Sequence, residues 1–347
     1  MKAYRNYLIF CLILVLCMVS LGGVTRLTGS GLSIVEWKPI SGILPPLNAT
    51  QWQEEFTAYQ ASPEYTLKNF HMELEDFKGI FWLEYLHRVL GRIIGLSFLL
   101  PAIYYAIRCN IPKMFIRRNF VLVGLVGMQG LMGWLMVKSG LTDNPHVSHY
   151  RLCAHLCLAI LIASVIFITI KQVKVNSAHI SDSDKALAHK SWSKISLIVL
   201  SLIVIQIIYG AFVAGLKAGY IYNEYPLMAG GFLPPEQWQN NNLSNFFEHH
   251  ATVQFIHRWL GALVLLMIIY QYIKSITASK KLRILNPAMF VLLVATLQFG
   301  LGIITLISHV QITLATLHQL IAIILVLAQL NLIYIKNPRL IKLDNTI

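Results

Sequence analysis

Eight stretches of the chain carry almost nothing but apolar side chains, near 7–24, 80–107, 120–137, 152–170, 195–216, 253–273, 288–307 and 312–335. Each is long enough to cross about 30 Å of hydrocarbon as a helix. Apolar and polar positions do not alternate at period 2, which argues against the strands of a membrane barrel. A backbone inside lipid must satisfy its own polar groups, so these runs predict an all-α polytopic membrane protein with eight transmembrane helices. The connections between the runs alternate in character. Lys2 and Arg5 precede the first run. Arg108, Lys113, Arg117 and Arg118 fill the second–third connection, and Lys171, Lys174, Lys185 and Lys190 the fourth–fifth. Lys274, Lys280, Lys281 and Arg283 fill the sixth–seventh, and Lys336, Arg339 and Lys342 follow the last. Every second connection is basic, which predicts that both termini are cytoplasmic.

Composition agrees with that pattern: 56% of residues are hydrophobic and 12% charged, against roughly 25% charged in soluble domains. The formal net charge of +13 follows the alternation of connections, so it reads as topology rather than as a face for nucleic acid. The five cysteines are Cys11, Cys17, Cys109, Cys153 and Cys157. None lies in a long outer connection, so no disulfide framework is expected there, and the bland role of small packing residues suits them.

The first run resembles a signal peptide, but it has a partner later in the chain, which argues against cleavage. It ends Gly22-Gly23-Val24, and the fifth run passes through Gly210-Ala211-Phe212. Each leads to an outer Leu-Pro-Pro, at Leu44-Pro45-Pro46 and Leu233-Pro234-Pro235, with Trp52 and Trp238 beyond. Gln129 with Gly133 matches Gln298 with Gly302, and His155 matches His318. The chain therefore reads as two tandem four-helix bundles, 1–176 and 191–347, joined by a polar linker at 177–190. Four spans return the chain to its starting side, so the halves should be related by a pseudo-two-fold axis along the membrane normal. They differ in one outer connection: Pro46 to His87 is 41 residues and Pro235 to His257 is 22. The excess, 57–77, is polar, with Glu64, Glu73, Glu75 and Asp76. It is either a lid or substrate entry, or a tolerated insertion.

The chemistry concentrates at the outer ends of the even-numbered runs. His87, His155, His257 and His318 form two pairs at matching positions of the repeats. A lone membrane histidine often only satisfies a neighbour, whereas facing helices of a bundle can supply both axial ligands of a heme. Zinc is the competing metal, but it favours four ligands round one ion. Arg88 and Arg258 follow the ligand candidates directly and suit either heme propionates or snorkelling to the interface. Gly91, Gly95, Ala154 and Gly261 are small enough to admit a flat macrocycle. His149 is a rival to His155, and His71, His146, His249, His250 and His309 lie in or beside outer connections. Glu84 stands one turn before His87, on the same face. Ionisable groups at such depth are functional candidates by default. It is either an acid–base group or the structural partner of Arg88 or Arg92. The second copy keeps His257-Arg258 but carries neutral Gln254 in its place, which favours chemistry over pairing.

These residues carry a family resemblance. Thr25-Arg26-Leu27-Thr28-Gly29-Ser30-Gly31-Leu32-Ser33, then Glu36-Trp37-Lys38-Pro39, Gly42-Ile43-Leu44-Pro45-Pro46 and Glu84-Tyr85-Leu86-His87-Arg88 resemble the heme A synthase family, in the branch shared by proteobacteria and mitochondria. The resemblance spans nearly the whole chain. It implies an oxidoreductase that converts the C8 methyl of heme O to the formyl of heme A for cytochrome oxidase biogenesis. It further implies heme O at His87 and His155, heme b as cofactor at His257 and His318, and Glu84 as the catalytic carboxylate. Some relatives have cysteine pairs in the outer loops; this chain has none there. A bacterial cell inner membrane is the expected location, with the heme sites toward the periplasmic side. Heme O synthase and cytochrome oxidase assembly factors are the expected protein partners. A di-heme b-type electron-transfer cytochrome is the chief alternative, ahead of a heme carrier. A transporter is disfavoured, because its polar groups would cluster at mid-membrane.

Overall fold

A computed structural model describes residues 1–36, 41–108, 110–140, 146–175, 190–234, 242–278 and 282–336. Among them the chain is helical and has no strand, only an isolated pairing of Met228 with Gly231. The helices are α1 (Lys2–Leu27), α2 (Ala49–Gln60), α3 (Leu74–Arg108), α4 (Lys113–Gly140), α5 (His149–Val175) and α6 (Lys190–Gly215). They continue with α7 (Asn245–Glu248), α8 (His250–Ala278), α9 (Leu282–Ile307) and α10 (Ile312–Lys336). Eight of them, all but α2 and α7, are long and apolar enough to cross a membrane, and they coincide with the eight apolar runs. Their ends run past the hydrocarbon. Thus α3 begins at Leu74 with Glu75 and Asp76 in its first turn, where carboxylates favour the positive end of the helix dipole.

The helices gather into two compact units, 13–159 and a second made of Met1–Leu12 with Ile160–Ile347. In the second unit α6 touches α8 and α10, and α9 touches the same two, which closes a ring of four. A polar pin crosses it. Gln271 and Gln329 exchange amide hydrogen bonds at 3.1 and 3.0 Å, and Gln329 Nε2 also donates to Ser196 O at 2.8 Å. Both glutamines are buried, and such interhelical hydrogen bonds in a membrane contribute about 0.6–2 kcal/mol.

In the first unit α3 packs against α4 and α2. The long outer connection, expected to be a polar segment, is folded. Asn48 caps α2 by accepting from Gln51 N at 2.9 Å, while Gln51 Oε1 accepts from Leu47 N, a reciprocal start signal. A π-helical turn follows at Tyr65–Asn69. Phe56, Tyr59, Phe77 and Phe81 form a buried aromatic cluster, with Trp52, Tyr65, Ile34 and Val35 packed on it. Glu64 is buried within this cap; it accepts from Tyr59 Oη at 3.5 Å, and Asn69 Nδ2 donates to the same phenol at 2.7 Å. Burial pushes the Tyr59 phenol up from its ordinary value, so it stays protonated at neutral pH. The excess residues thus fold into a cap over the head of α3.

The predicted linker lies outside the described residues except for Lys190, as do Trp37, Lys38, Pro39, Cys109, Pro235 and Trp238. Among the described residues Cys11, Cys17, Cys153 and Cys157 form no disulfide, and the Cys153 and Cys157 sulfurs lie 3.9 Å apart.

Candidate functional site

The head of α3 carries the acid. Glu84 is 3% exposed, and both of its oxygens are filled. Oε1 accepts from Arg88 Nε at 3.0 Å and Nη2 at 2.6 Å, since positions four apart on a helix meet on one face. Oε2 accepts from the Ser33 hydroxyl at 2.7 Å and from Ile34 N at 2.8 Å. Arg88 Nη2 also reaches Ile34 O at 2.9 Å. The segment after α1 is thereby stitched to α3 on both sides of the carboxylate. Removing one member of such a buried pair typically costs about 3–5 kcal/mol.

The head of α8 repeats the arrangement without charge on the acid position. Arg258 is 8% exposed and its guanidinium donates to the carbonyls of Tyr222, Glu224 and Leu227. Gln254 Nε2 donates to Ile221 O at 2.6 Å. Arg88 on Ile34 therefore corresponds to Arg258 on Tyr222, and Ser33 to Ile221. Both arginines, expected to suit propionates or the interface, are turned to the outer segment of their own half. Arg88 also realises the pairing weighed for Glu84, so the acid is both ion-paired and peculiar to one copy.

The histidines fall into the pairs the repeat suggests. His87 on α3 and His155 on α5 lie close enough to interact electrostatically, as do His257 on α8 and His318 on α10. All four are half-buried. A glycine of a neighbouring helix faces each ring. A Cβ on Gly22 would sit 3.1 Å from His87, on Gly133 3.3 Å from His155, on Gly210 3.0 Å from His257, and on Gly302 2.9 Å from His318. The small residues singled out from the sequence are placed otherwise. Gly91 looks at Met18, Gly261 at the amide of Gln206, and a Cβ on Gly95 would meet nothing within 4 Å. Helical spacing alone cannot tell which neighbour a glycine meets, yet Gly22, Gly133, Gly210 and Gly302 were all visible as matched repeat positions. Glutamines flank the rings: Gln129 Nε2 donates to His155 O at 3.1 Å, Gln206 Nε2 to His257 O at 2.9 Å, and Gln298 Nε2 is 3.4 Å from His318 Nε2.

The arrangement fits a heme. Among the described residues the buried Nδ1 atoms of His155, His257 and His318 meet no hydrogen-bond partner, and a buried polar atom without a partner is uncommon. Paired neutral imidazoles on facing helices, each with backbone-thin space beside it, are a donor set for a flat iron macrocycle. Among the described residues no cluster of three or more His, Cys, Asp or Glu is placed to hold a bare metal ion. Of the other histidines, His71 lies against Phe70, His149 against Tyr150, and His249 Nδ1 is 3.0 Å from Thr252 Oγ1.

Residues 5–330 match the profile of the family described as "Cytochrome oxidase assembly protein". A protein of Paramagnetospirillum magneticum named heme A synthase is 44% identical over 322 residues, covering 90% of this chain and 88% of its own. One of Rickettsia bellii is 42% identical and one of Wolbachia from Culex pipiens 40%, each covering 93% of this chain and 95% of its own. The chain belongs to the heme A synthase family. Membership covers both heads, both histidine pairs and the cap, so the whole site lies within the part of the chain that the family shares.

Proposed function

We propose that this chain is a heme A synthase, an oxidoreductase that converts the C8 methyl of heme O to a formyl group and so makes heme A for cytochrome oxidase. The names and coverage of its relatives support the class. The observation that carries the assignment within the chain is the unequal pair of helix heads, Glu84 in one and Gln254 in the other. Substrate heme O belongs to the half with the acid, at His87 and His155. Heme b belongs to the half with the amide, at His257 and His318, where it supplies a one-electron redox centre between the substrate and an outside acceptor.

The residues then divide the work. His87 and His155 hold the iron of the substrate, and Gly22 and Gly133 leave room beside those rings. Arg88 holds the Glu84 carboxyl group in place, where it can take a proton or stabilise positive charge on the carbon being oxidised. Oxidation runs from methyl to hydroxymethyl, then to a hydrated aldehyde that loses water. Each of the two oxidations removes two electrons and two protons and takes its oxygen from water. Product labelled from ¹⁸O-dioxygen alone would count against that source. The protein sits in the bacterial inner membrane with both termini cytoplasmic and the heme sites outward. It receives heme O from heme O synthase and serves cytochrome oxidase assembly.

Co-expression with a source of heme O, followed by chromatography of extracted heme, tests the reading. Heme A is expected from wild type and not from Glu84→Ala or His257→Ala. Bound heme with no heme A from wild type would assign a di-heme electron-transfer cytochrome instead.

A further inference from the structure

We propose that Ser33 is a positioning residue that lets Glu84 pass between carboxylate and carboxylic acid without losing a hydrogen bond. This rests on the reading of Glu84 as a proton acceptor. The chain delivers Ser33 by a defined turn. After α1, Gly29 adopts φ 69°, where glycine carries no steric penalty. Ser30 N donates to Thr25 O at 2.9 Å and Gly29 N to Arg26 O at 3.2 Å, the paired bonds of a Schellman cap. That reversal returns the segment to the head of α3, where Ser33 is 1% exposed.

Of the groups hydrogen-bonded to Glu84, the Arg88 guanidinium and the Ile34 N–H can only donate. They suit a carboxylate and have nothing to offer an acid O–H. A hydroxyl has one proton and two lone pairs, and it rotates. The Ser33 hydroxyl has alternative acceptors, Ser30 O at 3.1 Å and Ile80 O at 3.4 Å. When Oε2 gains a proton, the Ser33 proton turns to one of these carbonyls and its lone pair meets the new O–H. The bond formed is the O–H on Glu84 and the bond broken is an O–H of the attacking water, whose oxygen bonds to the oxidised carbon; the proton later leaves Glu84 for bulk water. Titratable groups near Glu84 include Arg88 on its own helix, the buried Tyr59 of α2, and Tyr85 and His87 within one turn along α3.

The second half supplies the control. Ile221 stands where Ser33 does, and Gln254 where Glu84 does. The amide needs no swivel, because it donates to the Ile221 carbonyl. Acid and hydroxyl are present together in one half and absent together in the other, which a packing role for Ser33 would not require.

The test compares Ser33→Ala and Ser33→Thr, each alone and combined with Glu84→Gln, in heme-loaded protein. Ser33→Ala is expected to turn over heme O about tenfold more slowly or worse, with heme content and redox spectra unchanged. Ser33→Thr restores most of the rate. In the Glu84→Gln background Ser33→Ala adds no further loss, the mark of a residue acting through another. A second readout needs no turnover. In infrared spectra of acidified protein, the C=O stretch absent from Glu84→Gln shifts in Ser33→Ala and returns in Ser33→Thr. If Ser33→Ala loses its heme, Ser33→Cys, close in volume, replaces it. A wild-type rate for Ser33→Ala, an equal loss in both backgrounds, or an unmoved C=O band would each overturn the proposal. Full turnover by Glu84→Gln would instead sink the functional reading, and the infrared band would still decide whether Ser33 serves the acid.

Discussion

The heads of α3 and α8 solve one construction problem in two ways. Each must tie an outer segment to the start of a membrane helix, and each uses an arginine to do it. In α8 the task is finished by backbone carbonyls of Tyr222, Glu224 and Leu227 and by the neutral amide of Gln254. A buried carboxylate is therefore not required to hold such a head together. In α3 one is nevertheless present, saturated by four hydrogen bonds from Arg88, Ser33 and Ile34. A buried ion pair is weak evidence for stability, because desolvation offsets most of the attraction. The uncharged twin shows the cheaper solution working in the same chain, so chemistry is the better account of Glu84.

The comparison is most exposed at Glu84 itself. Glu84→Gln copies the twin, and heme A formation is expected to fall by at least about 100-fold, read by chromatography, with both hemes still bound. Phe77→Ala removes the central ring of the cap on which Ile34 and Val35 rest. It should destabilise the first half by about 3–5 kcal/mol, seen in thermal unfolding, and lower turnover while the heme spectrum of the second half persists. An unaffected rate would separate the cap from the acid. Gly302→Ala drives a methyl to 2.9 Å from the His318 ring; such overpacking costs about 1–3 kcal/mol and should show as lost heme per chain. Gly133→Ala, at 3.3 Å, should lose least among the four glycines. Gln254→Glu points an acceptor at the Ile221 carbonyl and should cost about 1–2 kcal/mol in thermal stability without creating a second active site. Gln329→Leu breaks the polar pin for about 0.6–2 kcal/mol, measured as faster transfer of the second-half heme to a heme-free acceptor protein.

Much of this was legible from residue order. The eight helices follow from hydropathy, because lipid leaves a long apolar run no other way to satisfy its backbone. Glu84, His87 and Arg88 could be placed on one face by helical spacing alone. The histidine pairs followed from the repeat, and the structure brings each pair together. What spacing could not supply was anything carried by the segment after α1. Ser33 lies about fifty residues from Glu84 in sequence, and their meeting depends on the turn at Gly29 and on the seating of Ile34 against the cap. The glycines that face the rings went unassigned for a related reason. Gly91 and Gly261 neighbour the histidines along their own helices, whereas ring clearance is set by the helix opposite. The cap itself reads as polar residue by residue, and its aromatic cluster emerges only when α2 folds back on the start of α3.

The glutamine pin has a consequence for how firmly each half grips its guest. Gln271 follows His257 by fourteen residues and Gln329 follows His318 by eleven, which at 3.6 residues per turn sets each within about 40° of its histidine's face. That amide pair ties α8 to α10 below the histidines and opposes a roll of either helix that would swing its imidazole aside. The same offsets from His87 and His155 fall on Pro101 and Ile166, which offer no side-chain amide to fasten. In the proposed reading, the half that holds heme b is the one with its helices pinned.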